Sequence, residues 1–251
     1  MRVTIINSGG VQPVVVNNPN VGANLICQYG PNAIFSGVTN AQPFLQGTIN
    51  CSGVVTSGFN YPNVDTRVVQ LVALQAVPPN PSVPTGLAQS IGFILQPSSR
   101  GSVQIVSKSP LVQPNVDLNM YSDGPVTTLN TDANKAVASL YLVEQAVVGG
   151  GGFMVYPTSD QFTMGPAALL QAAQASSGIS IADHICGTTR MGASSATAVV
   201  DANLNVFGVK NLMIADLGVA PISPDGNTCY AVYMIGLNAA RILGIDVPPA
   251  L

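Results

Sequence analysis

The sequence predicts an α+β protein, an antiparallel sheet with helices, followed by strand–loop–helix segments. Short β-branched runs bounded by Gly, Asn, Pro and Ser fill the first half of the chain, the pattern of strands joined by turns. The second half holds stretches of helical spacing with start and stop signals at their ends. A hydrophobic share of 47% over 251 residues supplies a sizeable core. A chain of this length removes roughly 70–75% of its unfolded surface from water.

Taken in order, VTII (3–6) and VVV (14–16) read as short strands, and PNVGANL (19–25) as a turn-rich connection. From about 30 to 90 the chain reads as loop-heavy, with VVQLVALQAV (68–77) compatible with either a strand or a buried helix. IGFILQP (91–97), the turn SSRG (98–101) and SVQIVS (102–107) alternate as an antiparallel hairpin should. PNVDLNMYSD (114–123) ends in turn chemistry.

A helix is expected over 131–148. Thr131 can cap it, Ala136, Leu140, Val143 and Val147 recur at helical spacing, and the four glycines at 149–152 stop it. PAALLQAAQAS (166–176) has Pro in its first turn and Gly178 beyond its end, the usual asymmetry of a second helix. Residues 184–192 form a Gly-rich turn, 198–200 and 204–207 read as short strands, and NLMIAD (211–216) as a buried strand. The stretch 228–243 then reads as a helix with Ala231, Ile235, Ala239 and Ile242 on one face.

Charge excludes some functions. Asp, Glu, Lys and Arg make up 8% of the chain, against about 25% in an average globular protein. With net charge −3 and no basic cluster, the chain lacks what phosphate attraction needs, so no nucleic-acid partner is expected. A surface of Asn, Gln, Ser and Thr repels its own copies weakly, which favours self-association or a secreted or particle-bound setting. No apolar run reaches the ~18 residues of a spanning helix. The N-terminus lacks the apolar stretch of a signal peptide and enters strand-like sequence almost at once, as a chain starting in the middle of a fold would. Cys27, Cys51, Cys186 and Cys229 have no metal-ligand spacing.

Two segments carry candidate chemistry. The single histidine, His184, lies in DHICGTTRMG (183–192), where Gly187, Thr188 and Gly192 let backbone come close to whatever the imidazole faces. Imidazole is the usual general base near neutral pH. In NLMIADLGVAPISPDGNTCYAVYMIG (211–236), an apolar run ends at Asp216, an irregular loop follows, and Gly226–Asn227 opens a helix. A helix start after glycine presents free N–H groups to an anionic or electron-rich ligand.

The order and flanks of these segments resemble a known family. His-x-x-Gly-Thr, then Met191–Gly192, AVVDANLNVFGVKNLMIADLGVAP (198–221) and Gly226–Asn227 before a helix resemble the C-terminal signature of the glucose–methanol–choline (GMC) oxidoreductases. Upstream, PVVVNNPNVGANL (13–25) and LQPSSRGSVQIVSKSPLVQPNVDLNMYSD (95–123) resemble two further motifs of the same family. The resemblance covers nearly the whole chain. It implies a connecting segment of the FAD domain over 1–25, a substrate-binding domain over 26–180, and a C-terminal segment of the Rossmann-like FAD domain over 181–251.

The resemblance also implies roles. His184 takes the hydroxyl proton of a small alcohol while hydride passes to FAD, and Asn227 hydrogen-bonds the substrate oxygen. Asp216, Leu217, Thr228 and Cys229 stand where family backbone approaches the FAD. The sequence departs from the family at Ile26–Cys27–Gln28, where Asp-His usually follows Asn-Leu, and at Thr228, where Pro commonly follows the catalytic Asn. The fingerprint G-x-G-x-x-G that holds the FAD pyrophosphate is absent, so an N-terminal FAD-binding half is the implied partner, in the same gene product or a separate chain. Two rivals stand beside this expectation: a coat- or fibre-type structural protein built on the same fold, and a flavin-containing lyase on the same scaffold.

Overall fold

The computed structural model describes residues 6–7, 10–11, 16–37, 47–50, 69–75 and 87–245. It divides into two compact units, Met1–Cys27 with Ser99–Met120 and His184–Leu251, and Gln28–Ser98 with Tyr121–Asp183. The class is α+β with antiparallel pairing throughout the named strands, as the sequence predicts.

In the first unit, β1 (Ile6–Asn7) pairs with β2 (Gly10–Val11). The second unit is a six-stranded sheet. β3 (Tyr29–Ser36), β4 (Gly47–Asn50), β5 (Val69–Gln75) and β6 (Leu87–Ile94) run in spatial order β3-β6-β5-β4. The stretch expected to be loop-heavy therefore contains four strands. Their Gly, Pro and Asn residues mask a pattern that is stabilised across the sheet rather than along the chain. Within VVQLVALQAV, Val69–Gln75 resolves as a strand.

The expected hairpin between 91–97 and 102–107 does not form. β6 is flanked by β3 and β5, so both its edges are taken. In the first unit β7 (Ser102–Gln104) instead pairs with β8 (Asn115–Asp117), in register Val103 to Val116. Residues 105–106 continue as exposed chain, not strand.

Helix α1 (Asp132–Gly149) backs the sheet. Thr131 caps it, its Oγ1 accepting from the Asn134 N–H at 3.2 Å, and the glycine run ends it. Ala136, Leu140, Val143 and Val147 are all buried, so the predicted face is the packed one. β9 (Phe153–Tyr156) follows, then α2 (Ser159–Met164), α3 (Pro166–Gln174) and β10 (Ile179–Ile181). β10 and β9 share the side of β3 that β6 leaves open. Val137, Leu140, Val143, Met154, Leu169 and Ala173 form the core between these elements. Under it, Asp132 is fully buried and accepts from the Ser98 N–H (2.8 Å) and the Tyr29 hydroxyl (2.9 Å), with Lys135 Nζ at 3.6 Å.

The first unit has a separate core of Val199, Val200, Leu204, Val206, Val219 and Ala239. The strands expected at 198–200 and 204–207 are single bridges, Val200 to Val206 and Val200 to Met191. No buried strand forms at 211–216. Asn211 takes a left-handed turn, Met213 makes one bridge to Asn205, and the segment is half-buried or exposed. Turns placed this closely allow bridges but no ladder. α4 (Cys229–Ile242) packs Ile235, Ala239 and Ile242 on this core, on the predicted face. No helix among the described residues is long and apolar enough to cross a membrane. Residues 3–5, 14–15 and Cys51 lie outside the described residues.

Candidate functional site

His184 begins the last stretch of the first unit, half-buried, after Asp183 in a left-handed conformation. Two residues on, Cys186 exchanges both backbone hydrogen bonds with Ile26, each at 2.9 Å. Gly187 then turns at φ +88°, and a Cβ there would lie 2.5 Å from the Asn24 carbonyl oxygen. The Asn24 amide donates to the Gly187 carbonyl at 3.3 Å, and its Oδ1 accepts from Arg100 Nε at 3.1 Å. The turn after His184 is thus held from behind by 22–26, and those residues by Arg100.

Its other side is bound to the loop that leads to Asn227. The Thr189 N–H donates to the Gly218 carbonyl at 2.9 Å and the Met191 N–H to the Val219 carbonyl at 2.8 Å. Cys186 shares a side-chain hydrogen bond with Ser223. Burial pushes the Cys186 thiol up to about 11, with the nearby Arg100 charge and the Ser223 hydroxyl pulling less strongly the other way. Asp216 is exposed, its Oδ1 accepting from the Gly218 N–H at 2.8 Å, so it caps the 3₁₀ turn Leu217–Val219. Leu217 and Gly218 are half-buried. Asn227 is exposed, Thr228 is buried, and Cys229 is exposed with a free thiol at the start of α4.

Gly218 packs tightly against this chain's own side chains: a Cβ there would stand 2.6 Å from Thr189 Oγ1 and 2.8 Å from Asp216 Oδ1. These residues fit a flavin in two respects. Thr189 Oγ1 is buried with no hydrogen-bond partner among the described residues. Thr228 caps α4 without a side-chain bond, leaving the first-turn N–H groups as donors. Among the described residues no three His, Cys, Asp or Glu side chains gather to hold a metal ion.

Sequence reasoning named His184, Asn227, Asp216, Leu217, Thr228 and Cys229 but missed the residues that shape the turn between them. Asn24, Arg100, Thr189 and Ser223 lie far apart in the chain. The single sign of Arg100 was its place in the SSRG turn.

Residues 97–236 match the family model described as GMC oxidoreductase. The glucose oxidase-like protein fsoC of Humicola fuscoatra is 30% identical over 157 residues, covering 60% of this chain and 25% of that one. A solved fungal aryl-alcohol oxidase superposes with a TM-score of 0.64 at 19% identity, over 92% of this chain and 49% of it. A solved FAD-dependent oxidoreductase from Chaetomium thermophilum gives 0.61 at 19%, over 92% and 49%. The chain spans about half the length of these solved relatives and a quarter of the curated one.

Proposed function

The chain belongs to the GMC oxidoreductase family, and from that premise we propose that it carries the catalytic His/Asn pair with which an FAD-dependent enzyme oxidises a CH–OH group. FAD is the cofactor of the family. The observation that supports the reading best is the double tie of the His184 turn to the loop before Asn227, through Thr189–Gly218 and Cys186–Ser223.

In this reading His184 removes the hydroxyl proton of the alcohol, and the Asn227 amide hydrogen-bonds the same oxygen. A neutral imidazole accepts that proton through its unprotonated ring nitrogen. FAD, when bound, supplies the acceptor for the hydride. The backbone around Asp216, Leu217 and Gly218 and the first turn of α4 at Thr228 and Cys229 would hold the flavin, with Thr189 Oγ1 as a further donor. The turn at Gly187 keeps the imidazole from swinging with its loop.

These 251 residues contain no G-x-G-x-x-G, so the FAD pyrophosphate would be held by a dinucleotide-binding half outside them. The first unit has apolar surface for such a half to cover. Leu111 is 90% exposed on the loop between β7 and β8, Tyr230 81% exposed on α4, and Ile222, Tyr233 and Met234 are exposed as well. Large apolar side chains exposed in this way are what a covering half would bury.

Anaerobic mixing of the flavin-loaded full protein with an alcohol that reduces its flavin tests the reading. His184→Ala should slow flavin reduction by about 10²–10⁴-fold while the flavin stays bound. An unchanged rate in that variant would refute it. A protein that carries flavin but that no alcohol bleaches would favour the lyase.

A further inference from the structure

The second unit contains a cleft of about 520 Å³ between α1, β9 and α2, lined by Tyr141, Glu144, Phe153, Met154, Phe162 and Pro166 among others. The volume falls in the range of small-molecule sites, about 300–1,000 Å³. Tyr141 and Phe162 meet edge to face, centroids 5.6 Å apart at 67°, so two of its aromatic walls brace one another. Phe153 forms a third and is 58% exposed, an aromatic ring left facing solvent at the edge of the cleft.

Glu144 is the single charged residue in this lining, and no Lys or Arg among the described residues stands within ion-pair distance of it. Partial burial pushes its carboxyl up, and burial together with the Glu144 charge pushes up the Tyr141 hydroxyl. The cleft is therefore electronegative and aromatic at once. A carboxylate and ring faces attract the same kind of group, a desolvated organic cation. A neutral apolar occupant would leave the carboxylate desolvated without a partner, and an anion would be repelled by it.

We propose that this cleft is a binding site for a small ammonium ion bearing an aromatic body, anchored by the Glu144 carboxylate and packed on Tyr141, Phe153 and Phe162. The site draws nothing from the His184 segment, because every lining residue belongs to the second unit. It stands or falls independently of the oxidoreductase reading.

The test is calorimetric titration of the full chain with 2-phenylethylammonium, phenylacetamide and phenylacetate, which share a ring and differ in charge. The cation should bind measurably more tightly than the amide, and phenylacetate should not bind. Glu144→Gln should weaken the cation about fivefold or more and leave the amide unaffected. Phe162→Leu, which keeps the carboxylate and removes a ring, should weaken it as well, and circular dichroism reports whether each variant is folded. Equal binding of cation and amide would overturn the proposal. So would cation affinity unchanged in either folded variant.

Discussion

The Thr189 N–H donates to the Gly218 carbonyl at 2.9 Å, although 29 positions separate the two residues. The bond joins the turn after the only histidine to the loop capped by Asp216. The Met191–Val219 bond at 2.8 Å continues it, so the two segments lie side by side as a short irregular pair. His184 is then carried by a segment bonded on both sides, to 22–26 and to 217–219.

Gly187 is the tightest point of that arrangement. Alanine there meets an unfavourable φ of +88° and the Asn24 carbonyl oxygen at 2.5 Å. Gly187→Ala should destabilise the protein by about 2–4 kcal/mol, combining left-handed strain with displacement of the Asn24 segment. Denaturant unfolding measures it, and a loss below about 0.5 kcal/mol would mean that the turn relaxes freely.

Cys186 should give stability an alkaline limb. Its thiol is raised from the ordinary 9.0 to about 11, so between these pH values the folded state keeps a proton that the unfolded chain has released. The unfolded state then binds fewer protons, and stability falls as pH rises across that window. Below pH 9 this group adds no pH dependence. Subtracting the stability profile of Cys186→Ala from that of the parent isolates this limb from lysine and tyrosine titration, and a flat difference from pH 9 to 11 would disprove it.

Asp132 is fully buried at the start of α1, where it accepts from Ser98 and Tyr29 and faces Lys135. Asp132→Asn removes the charge opposite Lys135 and turns one acceptor into a donor. It should cost about 3 kcal/mol, against about 1 kcal/mol for Tyr29→Phe. Thermal unfolding of both variants checks the order, and a larger loss in Tyr29→Phe would mean that the hydroxyl, not the carboxylate, organises this junction.

The cysteines should separate by reactivity. Cys229 is exposed with a free thiol, whereas Cys27 and Cys186 are buried. Site-resolved alkylation of the chain at pH 8 should label Cys229 first and Cys27 and Cys186 slowly. If Cys229 lies against the flavin as proposed, cofactor loading of the full protein should protect it. Equal labelling with and without flavin would argue against that placement.

The helices were legible because their signals are local. Thr131 and the glycine run bracket α1, Pro166 opens α3, and α4 packs Ile235, Ala239 and Ile242 of the face that helical spacing marks. α2 had a local signal that went unread, the capping box of Thr158 with Gln161, because six residues are too few to show helical spacing. Strand pairing was not legible. Residues 91–94 and 102–104 alternate as a hairpin would, yet each pairs elsewhere, since β3 and β5 take both edges of β6 and Leu25 bonds to Gly101.

The site divides in the same way. A single histidine before Gly187, and Asn227 before a helix, stand out in one dimension because glycine and a helix start have local causes. Asn24, Arg100, Thr189 and Ser223 give no such sign: their part in the site consists of hydrogen bonds across 76 to 163 positions for Asn24, 29 for Thr189, and 37 between Ser223 and Cys186. Residue types and local geometry, which depend on neighbours in the chain, were determined by the sequence alone. Which segments hold the histidine turn was decided only by tertiary structure, because partners so distant meet through the packing of a whole unit.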